Sequence, residues 1–239
     1  MAPVFALVSK NQALKSAFEH IVLAGIIFWF KSTGGFWSAS FVIIALGYLY
    51  LETWSQSNRF LFGALSVGIL VFFFPVSSGE EVYLSLLSAF IMYLIVGTKN
   101  LVFINRKLSA QIAYFLILGT AAYVLLLSMS FWGQIMFFIL TAALFKELFG
   151  FLTEESRGEN FLKGLTASLI ISEIIWGLSL LPLAPIRSSI ILVSTALLTH
   201  YLILRYTRES FTVKSVLKGI GIFLAMTLTI FLISSWNLS

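Results

Sequence analysis

The sequence predicts an all-α, polytopic integral membrane protein: a helical bundle of about nine transmembrane helices that forms a single membrane domain over residues 1–239. Hydrophobic residues make up 59% of the chain and charged residues 10%, with a mean hydropathy of +1.01. A water-soluble domain of this length has too little interior to hide so much apolar surface. Apolar stretches of about 20 residues, the length of one helical span, follow one another almost end to end.

Each predicted span is bounded by a short polar segment. The first is the least regular, because Lys15, Glu19 and His20 lie at its start. We expect no cleavable signal, because the first apolar run lacks a small-residue cleavage site and a second span follows at once. The nine spans are residues 14–32, 36–54, 58–78, 81–98, 108–128, 131–151, 160–183, 186–207 and 213–236.

The distribution of basic residues gives the orientation. Lys and Arg near span ends are retained on the cytoplasmic side of a membrane. With the N-terminus inside, all of the 15 basic residues except Lys31 and Arg187 fall on inner segments. We therefore expect a cytoplasmic N-terminus, an extracytoplasmic C-terminus and a prokaryotic plasma membrane. The net charge of +5 suits loops facing anionic lipid headgroups, so no nucleic-acid partner is expected.

Two halves of the chain resemble each other. The stretch "FWSASFVIIALGYLYLETW" from Phe36 aligns without a gap with "FWGQIMFFILTAALFKELF" from Phe131, which places Glu52 and Glu147 at equivalent positions. Segments 36–128 and 131–236 are therefore predicted to form a parallel tandem repeat of four helices each, with the first span as an extra. Further markers in the same order are 58–63 with 160–164, Pro75 with Pro182, and Tyr93 with Tyr201.

Glu173 is the main candidate site residue, because it interrupts the apolar run "LIISEIIWGLSLLP" of residues 169–182. Its predicted depth is roughly 20 Å above the inner boundary of the span. A carboxylate there is protonated, paired or in contact with water. Two interpretations stay open: a ligand or proton site, and a neutral acid that makes one structural interhelical hydrogen bond. Its predicted companions are Thr166, Ser172 and Trp176 on the same helix, and Ser194, Thr195 and Thr227 at similar depth on the next two.

Three further residues, His200, Glu52 and Glu147, are secondary candidates for the site. His200 is either a proton-carrying group or a packed interhelical residue. Glu52 and Glu147, near the inner surface, are explained by capping or pairing with basic residues, or as repeat mates that form an inner gate. A stripe of small residues at Gly164, Ser168 and Ser172 predicts a close helix contact. The polar segment 152–162 is predicted as a cytoplasmic loop and a possible docking surface.

Several classes of chemistry are excluded by composition. The chain has no cysteine, no aspartate and two histidines, which argues against disulfides, cysteine-ligated metal, paired aspartates and di-metal centres. Glycine-rich phosphate-binding motifs are absent. We therefore expect neither a cofactor nor a metal, and the chain gives no clear indication that it is an enzyme.

Three functions remain. The first is a small transporter or permeation protein that uses Glu173 and carries a proton, a lipid or another mainly apolar cargo. The second is a non-catalytic integral subunit or assembly factor of a membrane complex, with a membrane-protein partner or a second copy of the chain. The third is an intramembrane lipid-modifying enzyme acting through Glu173 and His200. Membrane lipids are expected partners in every case.

Overall fold

The computed structural model describes residues 2–51, 60–74, 80–100, 102–128, 130–153, 155–207 and 212–233. Within these ranges the chain forms nine α-helices and no strand, with one helix at each predicted span. The helices are α1 (Ala2–Thr33), α2 (Phe36–Leu51), α3 (Leu61–Phe73), α4 (Glu81–Lys99), α5 (Arg106–Ser128), α6 (Phe131–Leu152), α7 (Arg157–Ser179), α8 (Pro185–Thr207) and α9 (Val213–Ile233).

Five of these helices, α4 to α8, are long and apolar enough to cross a membrane. The described parts of α2 and α3 and the stretch 216–229 of α9 are apolar but shorter. The chain is thus a helical membrane protein. Glu52 and Pro75, two markers of the predicted repeat, lie outside the described residues.

Prolines set the boundary between α7 and α8. Helix α7 ends at Ser179, four residues before the predicted end of the span, because the residue before a proline is disfavoured in helical geometry and Pro182 follows closely. Pro185 then occupies the first position of α8, where the missing amide proton of proline costs no hydrogen bond.

The chain divides into two compact units, residues 1–117 and 118–239. In the first unit α1 packs against α2 and α4, and α3 packs against α4. Lys31, at the end of α1, donates a hydrogen bond of 3.0 Å to the backbone carbonyl of Phe74, directly after α3. Lys99, at the end of α4, donates one of 2.7 Å to the carbonyl of Tyr50, near the end of α2. The ends of α1 and α3 are therefore neighbours, as are those of α2 and α4, which fits helices that alternate in direction.

In the second unit α6 and α7 form the most extensively packed pair, and α8 lies against both α7 and α9. Gly164 allows the close approach of α7 to α6, since a Cβ there would lie 2.7 Å from the carbonyl oxygen of Ala142. One turn later the Ser168 hydroxyl donates a hydrogen bond of 2.6 Å to the carbonyl of Phe138. The predicted small-residue stripe thus contacts α6 at Gly164 and Ser168.

Part of the segment 152–162, which was predicted as a loop, is helical. Helix α7 already begins at position 157, where Ser156 and Glu159 form a reciprocal capping box. Asn160 is buried and donates a hydrogen bond of 3.2 Å to the carbonyl of Glu155. Most of the polar side chains in this segment therefore stabilise the start of α7.

Candidate functional site

Glu173 lies on the exposed face of α7. Ile171 and Ile175, two positions before and after it, are fully or almost fully buried, because positions two apart on a helix differ by about 200°. Trp176, one turn further, is 60% exposed. Among the described residues none makes a hydrogen bond or ion pair with Glu173. Its carboxyl group therefore faces outward from the second unit.

The predicted companions of Glu173 are bonded elsewhere or have no described partner. The hydroxyls of Ser194 and Thr195 donate to carbonyls one turn back in α8, at 2.9 Å in each case. The hydroxyls of Ser172 and Thr227 are buried without a hydrogen-bond partner among the described residues. Thr166, exposed like Glu173, donates to the carbonyl of Leu162 at 2.9 Å. The structure thus shows no hydrogen bond between these hydroxyls and Glu173.

His200 is buried in α8 and packs against two aromatic rings of α6. Its ring is stacked on that of Phe149, with centroids 5.4 Å apart and planes at 21°, and lies 6.3 Å from that of Phe145. No contact joins His200 to Glu173 in the described structure. Glu147 is half-buried in α6, and Glu52 lies outside the described residues.

A groove that sequence reasoning missed lies between α1 and α4 in the first unit, with a volume of about 530 Å³. Volumes of this size are typical of sites for small molecules. We call it the α1–α4 groove. From α4 the groove is lined by residues three or four positions apart on one helix face: Val82, Ser85, Leu86, Ala89, Phe90 and Tyr93. From α1 it is lined by Ala17, His20, Ile21, Ala24, Gly25 and Phe28.

The α1–α4 groove is mainly apolar and open to the outside of its unit. The small side chains at Ala24 and Gly25 leave room for the groove between the two helices. A Cβ at Gly25 would meet no atom within 4 Å. Several lining side chains, among them Ile21, Leu86 and Phe90, are exposed. The groove is therefore accessible from the surface of the first unit.

His20 is the main polar group of the groove wall and is only 4% exposed. Its Nδ1 lies 2.6 Å from the carbonyl oxygen of Ser16. Because a carbonyl only accepts, this contact assigns the proton to Nδ1 and leaves Nε2 as an acceptor. Nε2 is buried and has no hydrogen-bond partner of ordinary geometry, although the backbone of Met92 also lies close to the ring.

Aromatic contacts hold the His20 ring in position. The Tyr93 ring meets it edge-on, with centroids 5.4 Å apart and planes at 74°. On its other side Tyr93 packs edge-on against Phe103 at 5.2 Å. The imidazole is therefore held at the junction of α1 and α4, with its Nε2 buried in the groove wall.

In the sequence His20 stands out only as one of three ionisable residues at the start of the first span. The available signal was the helical spacing of Ala17, His20, Ala24 and Gly25, which places three small residues and one histidine on one face. That signal identifies a face of α1 but not the partner helix, since α1 and α4 are separated by two other helices in the sequence.

No protein-family model, curated protein or solved structure matches the chain. Within the described ranges, no three histidine or acidic side chains lie together as metal ligands would. The α1–α4 groove thus combines apolar walls with one buried imidazole, that of His20.

Proposed function

We propose that the chain crosses the cell membrane nine times, with the N-terminus inside and the C-terminus outside, as one extra helix followed by a tandem repeat. The nine helices at the nine apolar stretches support this topology. The repeat is supported by the pairs Phe36–Trp37 and Phe131–Trp132, both exposed. Their ring centroids are 5.8 Å apart in each pair, with interplanar angles of 74° and 69°.

The function that the geometry supports best is that of a small transporter or permeation protein for a lipid or another mainly apolar cargo. The observation that carries this proposal is the apolar α1–α4 groove of about 530 Å³, which has the buried imidazole of His20 in its wall. A donor on the cargo bonds the buried Nε2 of His20 only when the side chains around it shift, and this bond then recovers the free energy that the unpaired acceptor costs. The proposed cargo site is thus in the first unit, at His20, and does not include Glu173.

The shape of the groove defines the cargo. From Ala17 to Phe28 the wall is about 16 Å long by helical rise, which suits an extended hydrocarbon chain. A sugar or a hydrated ion would lose its water contacts to a wall with very few polar groups, at a large free-energy cost. The cargo therefore has a long apolar body and one donor, such as a protonated carboxyl or a hydroxyl group.

The binding step is tested with palmitic acid that carries a photoreactive diazirine in its chain. We expect it to label peptides of α1 and α4 in the purified protein. Gly25→Trp fills the groove and should lower labelling about tenfold. Gly47→Trp is the matched control, because a Cβ at Gly47 also meets no atom within 4 Å and this residue lies on α2, away from the groove lining. Equal labelling of the two variants would contradict the proposed site.

The transport step is tested in liposomes. Protein-dependent movement of a fluorescent phospholipid between the two leaflets should fall with Gly25→Trp and stay unchanged with Gly47→Trp. His20→Phe removes the acceptor while keeping a ring, and should weaken palmitic acid labelling about fivefold, the effect of one lost hydrogen bond. If the protein binds the probe but moves no lipid, the transport part of the proposal is wrong.

A second candidate function, an integral subunit of a membrane complex, is favoured by the outward position of Glu173. A carboxyl group on an apolar helix is stabilised when a partner helix supplies a hydrogen-bond donor. Gentle purification tests this function: a stoichiometric protein partner should be lost in Glu173→Leu and kept in Thr166→Leu, a substitution on the same exposed face. Purification of a single copy without any partner would contradict it.

A further inference from the structure

A second cleft, in the other unit, combines apolar walls with two basic side chains. It lies between α8 and α9 and has a volume of about 380 Å³. We call it the α8–α9 cleft. Its apolar lining includes Leu197, Ile222 and Phe223, and its basic lining residues are Arg205 and Lys218. Among the residues that the structure describes, none of the side chains lining the cleft is acidic.

The two basic residues lie at the same end of the cleft. Arg205 is in the last turn of α8, and Lys218 is in the second turn of α9, which begins at Val213. Helices α8 and α9 pack against each other and are joined by a short connection, so the end of one lies near the start of the other. The Arg205 guanidinium lies over the ring of Tyr201, 5.4 Å from its centroid, which fixes it at the cleft wall.

Gly219 forms part of the floor of the cleft. A Cβ at this position would lie 3.1 Å from Cδ1 of Leu198 and 3.2 Å from the ring of Tyr201. The missing side chain therefore lets α9 approach α8 closely while leaving space above the contact. A longer side chain at position 219 would occupy this space or separate the two helices.

The basic side chains at one end of the cleft and the apolar side chains along the rest of it match an amphiphile with an anionic headgroup. The distance from Ser194 to Arg205, about 16 Å by helical rise, suits an extended acyl chain. Arginine binds phosphate through two parallel N–H groups, and lysine adds a compact positive charge. Basic pockets between transmembrane helices on the cytoplasmic side bind acidic lipid headgroups.

We propose that the α8–α9 cleft binds an anionic phospholipid, with its phosphate between Arg205 and Lys218 and an acyl chain along Leu197, Ile222 and Phe223. This lipid is a resident partner of the second unit. Its site shares no residue with the α1–α4 groove, so it holds or fails independently of the proposed transport function.

Native mass spectrometry of the purified protein tests the headgroup preference. The probes are phosphatidylglycerol and phosphatidylcholine with identical acyl chains. We expect phosphatidylglycerol to bind about tenfold more tightly, because each basic side chain near a phosphate contributes a measurable attraction. The double variant Arg205→Gln, Lys218→Gln should bind both lipids equally. Lys214→Gln, which removes a basic residue of α9 that does not line the cleft, should keep the preference.

The apolar part of the site is tested with a matched pair of glycine variants. Gly219→Leu should lower the binding of both lipids about tenfold, whereas Gly221→Leu should not, because a Cβ at Gly221 meets no atom within 4 Å. If Gly219→Leu does not fold, Leu197→Trp fills the same cleft from α8. Glycerol 1-phosphate at equal concentration should not displace phosphatidylglycerol.

Three results would overturn the proposal. The first is equal binding of the two lipids by the unmodified protein. The second is a preference for phosphatidylglycerol that survives the double charge variant. The third is full displacement by glycerol 1-phosphate, which would mean that the acyl chain contributes nothing.

Discussion

The Lys31 ammonium donates a 3.0 Å hydrogen bond to the backbone carbonyl of Phe74, which lies 43 positions further along the chain. Next to this contact the rings of Phe30 and Phe72 lie 5.1 Å apart. Lys31 is one of the two basic residues that the predicted topology places on the outer side of the membrane. The hydrogen bond gives a physical reason, since the carbonyls at a helix C-terminus attract a cation.

Replacing Lys31 should weaken the contact between the ends of α1 and α3. Lys31→Met removes a hydrogen bond to a charged donor while keeping most of the side-chain length. Because Lys31 is only partly buried, we expect a loss of about 1 kcal/mol in the free energy of unfolding. Thermal unfolding in detergent measures it, with Lys107→Met, an exposed position on α5, as control. Equal melting temperatures for the two variants would show that the contact does not stabilise the unit.

Gly164 should tolerate no side chain. A Cβ there would lie 2.7 Å from the backbone carbonyl oxygen of Ala142 and 2.8 Å from the backbone nitrogen of Lys146. Backbone atoms, unlike a side chain, cannot rotate away from such a contact. Gly164→Ala should therefore cost about 1–3 kcal/mol, the range for overpacked sites. Gly177→Ala on the same helix, where a Cβ meets no atom within 4 Å, should be neutral or slightly stabilising.

The comparison of Gly164→Ala with Gly177→Ala is made by thermal unfolding. A stable Gly164→Ala variant would mean that α6 and α7 are further apart than the structure places them. Cross-linking between the two helices then decides whether the pair itself is correct.

Glu173 should not be needed for the fold of its unit. Since its carboxyl group faces outward and has no described partner, Glu173→Gln and Glu173→Leu should change the free energy of unfolding of the purified chain by less than about 0.5 kcal/mol, as is usual at exposed sites. The same thermal assay measures this. A large loss of stability in both variants would instead reveal a structural hydrogen bond inside the unit.

The positions of the helices could be predicted from the sequence, because long apolar runs and short polar breaks determine them directly. The stripe of Gly164 and Ser168 was also correctly predicted to form a close contact. The face of α7 on which Glu173 lies could also be predicted from the sequence. Glu173 is nine residues, or two and a half turns, from Gly164 and therefore lies on the opposite face of the helix. The predicted depth of Glu173 does not by itself specify which face of α7 is packed.

The α1–α4 groove could not be predicted in the same way. It depends on the pairing of two helices that are not consecutive, and on small side chains such as Ala24 and Ala89 that meet only in the folded unit. No residue adjacent to His20 in the sequence indicates that its side chain lines a groove. Its partner ring, Tyr93, lies more than 70 positions further along the chain.

The absence of cysteine makes single-cysteine labelling the most direct test of whether α4 to α8 cross the membrane in alternating directions, as the nine-span topology requires. The four positions are Ile104, Phe131, Gly158 and Ala184, all exposed and all near helix ends. We predict that a membrane-impermeant maleimide labels Phe131→Cys and Ala184→Cys in intact cells, and labels Ile104→Cys and Gly158→Cys only after permeabilisation. Labelling of all four positions from the same side, or of Ile104→Cys and Gly158→Cys from opposite sides, would contradict the nine-span topology.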